Sequence, residues 1–286
     1  TESPRAPTLC RPERDGQAAY RARVQEAIDA IVERGDLFEV NYAERFEIDW
    51  QQSGFALYEA LCEVASGEHF GYLQAPGFEV ASVSPERFLR VDPDGRVSTR
   101  PIKGSMRRSD DPEEDRRLGE RLLASEKDRA ENIMIVDLMR NDLTQVCELG
   151  SVKATALCEL ESFAGIHHLV STVEGALAPG FDALDALLAS FPAGSITGAP
   201  KLRSIEYIAN LEGSARGFYT GSLFYASSHG ALDSSVLIRT AEILDGKARY
   251  GAGGAVVADS DPERERLEAL LKLAPLHRAI GVSPDE

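Results

Sequence analysis

Positive charge is what this 286-residue chain has least of: 31 Lys and Arg stand against 47 Asp and Glu, a formal net charge of -16. A nucleic-acid partner would need a basic face, so the charge argues against that class, and against charge-driven attachment to an anionic membrane. An anionic substrate is not excluded, because a local cluster of Arg, Lys or metal overrides the global field. Over most of the surface the acidity serves solubility. Cysteine is scarce as well: Cys10, Cys62, Cys147 and Cys158, with no C-x-x-C pair. That leaves a zinc or redox site without support, and scattered thiols fit a reducing cytosol, the expected location. No run is long and apolar enough to span a bilayer. The polar stretch from Thr1 to Arg14 has no apolar signal core.

Nucleotide and hydrolase signatures are also missing. Gly194-Ser195-Ile196-Thr197-Gly198-Ala199-Pro200-Lys201 has the glycines of a phosphate loop, but Ala-Pro separates the second glycine from the lysine. What remains is a Gly/Ser/Thr loop opening a helix. It reads either as an N-terminus able to hold a carboxylate, with Ser195 and Thr197 beside it, or as a well-capped helix start. Gly251-Ala252-Gly253-Gly254 lets backbone approach something closely, yet lacks the G-x-G-x-x-G spacing. H-E-x-x-H and G-x-S-x-G do not occur.

What is present is an ordinary globular composition, 43% hydrophobic and 27% charged, with length enough for one large domain or two modest ones. Residues 1–15 read as a flexible tail, 16–281 as one domain and 282–286 as a second tail. Apolar spacing predicts helices over Gln17–Arg34, Gly54–Ala65, Asp182–Ala189, Lys201–Leu211 and Asp261–Ile280 (the last carrying Pro275), and one long helical region over Pro112–Leu143. Strands are predicted over Leu37–Ile48, in short pieces between Phe70 and Thr99, and in alternating runs over Ser151–Gly175. Phe218–Tyr225, Ser234–Leu244 and Ala248–Val257 read as three sequential antiparallel strands. Strands and helices come in unequal groups without βαβ alternation, which favours an α+β fold.

Several side chains stand where chemistry is plausible. Lys103 lies in Arg100-Pro101-Ile102-Lys103-Gly104-Ser105, inside a tight Pro/Gly frame. A lysine held by a rigid turn and partly desolvated is usable as a nucleophile or base. Glu86 precedes a nearby strand and is a candidate acid. Asp128 and Glu131 share a helix face, as do Glu265, Glu268 and Lys272. Such faces are either solvated or, when two face each other, able to hold a hard cation such as Mg²⁺. Arg239 sits in a largely apolar strand and needs a partner, either a structural carboxylate or a bound one. His167-His168 reads as hydrogen-bonded packing.

Together these motifs resemble the chorismate-utilising enzymes: anthranilate synthase component I, aminodeoxychorismate synthase component I, and isochorismate and salicylate synthases. The resemblance runs from about Gln17 to Ala279. It is carried in order by GDLFEVNYAERF, SPERFLRV, RPIKGS, LLASEKDRAENIMIVDLMRNDL, HHLVSTVEG, FPAGSITGAPKLRSIEYI, GFYTGSLFY, LIRTAEI and YGAGGAVVADSDPERE. It implies an α+β fold with large antiparallel sheets flanked by helices, and a Mg²⁺-dependent chorismate site. By that likeness Glu131 and Glu268 ligate the metal directly, and Asp128 and Glu265 ligate it through water. The metal grips the ring carboxylate. Arg239 and Tyr219 match the pair holding the other carboxylate. Lys272 and the Gly253-Gly254 backbone match further carboxylate contacts. His168 matches the histidine beside the ring, and Glu86 the acid that protonates the departing 4-hydroxyl.

Lys103 discriminates within the family. Anthranilate synthases usually have alanine there, whereas aminodeoxychorismate synthases resemble this chain in having lysine. The likeness implies that the lysine adds to C2 of chorismate as the 4-hydroxyl leaves, and that ammonia then attacks C4 and expels it, giving 4-amino-4-deoxychorismate, the precursor of p-aminobenzoate and folate. Isochorismate and salicylate synthases carry a water-activating lysine where Glu39 stands here. Other departures are Glu39 for the usual glutamine, Ser105 for threonine, and Leu267 and Ala269 for polar residues. Most of the N-terminal region of full-length relatives is lacking, as are glutaminase and lyase domains, so ammonia is expected from free ammonium or a separate glutaminase subunit. The expectation is an aminodeoxychorismate synthase component I. The alternatives are an anthranilate synthase with an atypical lysine, or a non-catalytic chorismate-binding module.

Overall fold

The computed structural model describes residues 9–10, 17–163 and 165–281. In chain order the first elements are β1 (Leu9–Cys10), α1 (Gln17–Val32), β2 (Glu39–Asp49), α2 (Gly54–Val64), β3 (His69–Ala75), β4 (Phe78–Ser84), β5 (Arg87–Val91), β6 (Arg96–Thr99), β7 (Ile102–Arg107), α3 (Pro112–Leu123) and α4 (Glu126–Thr144). There follow β8 (Lys153–Phe163), β9 (Ile166–Ala176), α5 (Ala183–Ser190), β10 (Gly198–Ala199), α6 (Lys201–Glu212), β11 (Ser222–Ala226), β12 (Leu232–Val236), β13 (Thr240–Leu244), β14 (Lys247–Val256) and α7 (Pro262–Ile280). They fall into two compact units. The first takes the described residues up to Pro85, Ile196–Gly221, and Leu237 onward; the second takes Glu86–Ser195 and Ser222–Val236. The expected α+β architecture is what forms, with one seven-stranded sheet and its own helices in each unit.

The first unit's sheet runs β1-β2-β14-β13-β4-β3, with β10 also on β2. Its longest ladder pairs β2 with β14 from Lys247↔Asp49 to Val256↔Val40, antiparallel. Phe46, Trp50, Leu57, Leu61, Tyr250 and Leu273 bring β2, α2, β14 and α7 into one core. Tyr20, Val24, Ala27 and Ile31 recur along one face of α1 at helical spacing and are buried with Val40, Ile208 and Leu211. Each large apolar side chain buried this way contributes about 1.5–3 kcal/mol. Leu9 and Cys10 fall in the segment expected as a tail, yet they pair as β1 with Ile48 and Glu47, because β2 otherwise presents an open edge of N–H and C=O groups. The rest of both expected tails lies outside the described residues.

The second unit's sheet runs β11-β12-β5-β6-β9-β7, with β8 on β9. β8 covers one edge of β9, so β6 and β7 share the other edge end to end. Arg100-Pro101 separates them, and proline suits that break because it has no N–H to give a ladder.

Three expected elements differ. The single helical region over Pro112–Leu143 is two helices: Ser125 caps α4, its Oγ accepting from Asp128 N at 3.3 Å, and Asp111 caps α3. Ser234–Leu244 is not one strand. β12 belongs to the second unit's sheet and β13 to the first, and Arg239 in the break has φ +49, a left-handed conformation. Phe218–Tyr225 begins as a turn, with Gly221 N donating to Phe218 O at 2.9 Å and Thr220 at φ +64, so β11 starts only at Ser222.

Candidate active site

In the second unit, β7 registers on β9 as Ile102↔Val170 and then Ser105↔His168. Lys103 and Gly104 therefore oppose one residue, Leu169, in a β-bulge, the device by which a strand re-aims a side chain. Gly104 has φ +85, and a Cβ there would lie 2.9 Å from Asp128 Cβ and 3.1 Å from its Oδ1. Only glycine suits both the conformation and the approach of α4, so Asp128 comes to lie beside the residue that follows Lys103. Lys103 is 8% exposed, uncommon for a lysine.

His168 stands across from Ser105, whose Oγ is 2.7 Å from its Nδ1. Period-two alternation sends its neighbour His167 to the opposite face. There Ser162 Oγ lies 2.7 Å from Nδ1 and Asp115 Oδ1 3.1 Å from Nε2. The Arg108 guanidinium beside Asp115 holds that carboxyl well below the usual carboxylate range. The packing role expected for the pair thus belongs to His167, while His168 faces the bulge strand. Glu86, just before β5, is buried, and its carbonyl accepts from Val236 N at 3.1 Å. Glu131 on α4 is buried, with Lys127 Nζ 3.7 Å from Oε1. Ser195 also belongs to this unit; its buried Oγ makes no hydrogen bond among the described residues.

The first unit holds Arg239, Tyr219, Gly253, Gly254, Glu265, Glu268 and Lys272, and the last five of these converge. A Cβ on Gly253 would stand 2.0 Å from Tyr42 O, so glycine is obligatory where β14 meets β2. A Cβ on Gly254 would meet Glu265 Oε2 at 3.3 Å, Lys272 Nζ at 3.5 Å and Glu268 Oε1 at 3.7 Å. Two carboxylates and an ammonium from α7 thus converge over bare backbone. Lys272 Nζ donates to Gly253 O at 2.7 Å and pairs with Glu268 at 2.9 Å. Ser260 Oγ donates to Glu265 Oε1 at 2.7 Å.

Arg239 Nη1 donates to Ser66 O at 3.2 Å, and among the described residues the guanidinium has no carboxylate partner. Burial pushes its pKa below the ordinary value. The Tyr219 ring packs on Gly251, where a Cβ would lie 2.4 Å from it, and burial pushes its hydroxyl up to about 12. Tyr250, a residue the sequence reading missed, has a buried hydroxyl with no hydrogen bond among the described residues, and its charge would act on both Arg239 and Tyr219. A half-buried guanidinium without a carboxylate partner among the described residues has donor capacity of the kind a carboxylate takes. Only its place before the glycines in YGAGG marks Tyr250 in the sequence.

Thr197 is buried in this unit, its carbonyl accepting from Asn41 N at 2.8 Å. Of the two readings of its loop, the well-capped start does not form, because Pro200 at the N-cap of α6 offers no side-chain hydrogen bond. Glu39 is fully buried.

Within neither unit do three His, Cys, Asp or Glu side chains form a metal-holding group among the described residues. Each unit offers a pair, Asp128 with Glu131 and Glu265 with Glu268. Both pairs are oxygen donors only, the chemistry Mg²⁺ takes, and a cation, the Lys272 ammonium, already stands against Glu268. The donor set fits.

Known proteins resemble this chain over most of its length. An aminodeoxychorismate synthase of Streptomyces pristinaespiralis is 45% identical over 91% of this chain and 37% of its own length. An anthranilate synthase component 1 of Thermus thermophilus is 42% identical over 93% of this chain and 57% of its own. The crystal structure of anthranilate synthase component I from Streptococcus pneumoniae superposes with a TM-score of 0.81 at 32% identity, covering 95% of this chain and 58% of that one. The chain thus spans less than two thirds of each. Residues 1–278 match the pattern of the chorismate binding enzyme family, and the chain belongs to that family.

Proposed function

We propose that this chain carries the chorismate-converting chemistry of an aminodeoxychorismate synthase: chorismate and ammonia enter, and 4-amino-4-deoxychorismate and water leave, through a covalent adduct on Lys103. The observation that carries this reading is the buried lysine in the β7 bulge, with Gly104 left-handed beneath Asp128. A Mg²⁺-dependent enzyme that attacked C2 with ammonia directly would need no amine there. Similarity alone also favours an anthranilate synthase, given the Thermus relative; Lys103 sets that reading aside.

Arg239, with Tyr219 of the same unit, binds one substrate carboxylate by charge-assisted hydrogen bonds. Lys272 and the Gly253-Gly254 backbone add contacts. Glu131 with Asp128 in one unit, and Glu268 with Glu265 in the other, are the carboxylates proposed for Mg²⁺, whose charge would neutralise the ring carboxylate. The Lys103 amine attacks C2, both ring double bonds shift one position toward C4, and the 4-hydroxyl leaves as water with a proton from Glu86. His168, oriented by Ser105, stands by the leaving group. Ammonia then adds at C4 and the C2–N bond to Lys103 breaks, restoring the diene and the free amine. A separate glutamine amidotransferase subunit supplies the ammonia in a cytoplasmic setting, and the product serves p-aminobenzoate and folate synthesis.

Incubation with chorismate, Mg²⁺ and ammonium tests the reading. It expects aminodeoxychorismate by chromatography and mass spectrometry, suppressed in Lys103→Ala; anthranilate and pyruvate as main products would overturn it.

A further inference from the structure

The first unit holds a cavity of about 320 Å³ between α1, the middle of β2, and the C-terminal turn of α6 with the loop that follows it. Arg239, Gly253, Gly254 and Lys272 do not line it; it shares only Tyr219 with the residues assigned to chorismate. Its size is at the lower end for a ligand pocket, room for one small ring rather than an extended molecule.

The charged groups in its wall are unequally occupied. Glu212 accepts from Arg216 at 2.6 Å and from Ala43 N at 3.0 Å. Arg216 is itself saturated, donating also to Asn41 O at 2.7 Å and Ile196 O at 2.8 Å. Among the described residues Arg23 donates only through Nη1, to Glu26 at 2.9 Å. Arg45 uses Nη1 on Ala215 O at 3.0 Å and Nη2 on Glu242 at 2.9 Å. Nε of both arginines, Nη2 of Arg23, the Asn210 amide and the Ser214 hydroxyl have no hydrogen bond among the described residues. The unused polar capacity in the wall is therefore mainly guanidinium donor capacity, which suits a carboxylate. Glu44 and Glu212 also line the cavity and would repel a second negative charge. The Tyr42 and Tyr219 rings, with Ala43 and Leu211, supply apolar surface for a flat body.

We infer that this cavity is a second small-molecule site, for a ring-bearing monocarboxylate whose carboxylate meets Arg23 and Arg45 and whose ring lies against Tyr42 and Tyr219. The occupant touches a residue assigned to the substrate, but the inference rests on the cavity and stands or falls apart from that assignment.

Binding of p-aminobenzoate and of its uncharged analogue p-aminobenzamide, followed by calorimetry on the full chain without chorismate, tests it. The acid binds saturably to the parent protein and equally to Arg239→Ala. Its affinity falls about 10-fold or more in Arg23→Ala, a surface change that leaves the circular dichroism spectrum and Tm intact, and the amide binds about 10-fold more weakly than the acid. Loss of binding in Arg239→Ala with none in Arg23→Ala would place the ligand in the chorismate site and overturn the inference, as would equal binding of acid and amide, or no saturable binding to the parent.

Discussion

Gly104 shows how little separates a reactive lysine from a buried one. Its φ of +85 and the closeness of Asp128 leave no room for a side chain. Gly104→Ala should strain the bulge by about 1–3 kcal/mol, lower Tm, and cut kcat at least tenfold in steady-state assays as α4 is displaced. An unchanged kcat would mean that the bulge does not position Lys103. Arg239 makes a different demand. A lysine there keeps the charge but loses the fork, so Arg239→Lys should raise KM for chorismate by about 10-fold or more while kcat changes less. Both residues were legible in the sequence, because a lysine in a Pro/Gly frame and an arginine in an apolar strand break local rules. Tyr250 was not legible: a tyrosine in a strand is ordinary, and only the sheet around it leaves its hydroxyl without a partner. Nor was the division of labour in His167-His168, which depends on the face of β9 that α3 covers.

Among the elements, the sequence marked most helices and strands but not where they break or change sheets. Ser125 interrupts a charged stretch whose apolar spacing continues past it, so periodicity alone joined α3 to α4. Ser125→Ala should cost about 1 kcal/mol through the lost N-cap and lower Tm, whereas Ser125→Asp should leave it nearly unchanged; equal losses in both would show that the cap is not what divides the helices. The change of sheet between β12 and β13 was hidden because Val236-Leu237-Ile238 carries an apolar run up to Arg239 and Ala241-Glu242-Ile243-Leu244 resumes one just after it. A period of two tells which face a residue takes, not which sheet it joins. The bulge in β7 was hidden for a related reason: register is a property of two strands, and β9 lies some sixty residues further along the chain.

For the whole molecule, acidity governs the response to solution conditions. A net charge of -16 repels itself in the folded state, so raising ionic strength from low to physiological should raise Tm; a falling Tm would mean that ion pairs outweigh the repulsion. Several carboxyls are nonetheless stabilised as anions. Arg266 and Arg21 hold Glu263 down at about 2, and Arg108 holds Asp115 below the usual range. Folded values below the unfolded ones mean stability that is full above the unfolded carboxylate range and lost as pH falls toward about 2. Buried His277 adds in the same direction. Burial lowers its pKa, so below its ordinary value of about 6.5 the unfolded chain takes up a proton that the folded chain resists. Urea titrations should therefore show stability declining from near neutrality to strong acid, with the steepest loss below about pH 4.5; a flat profile would contradict the linkage. The claim on which the functional account turns is the bond to Lys103. Intact-protein and peptide mass spectrometry after exposure to chorismate and Mg²⁺ without ammonia tests it most directly. The account predicts an adduct of chorismate less one water on the Lys103 peptide, discharged on adding ammonium and absent in Lys103→Ala. Ammonium-dependent turnover at full rate in Lys103→Ala, with no adduct in the parent, would contradict it.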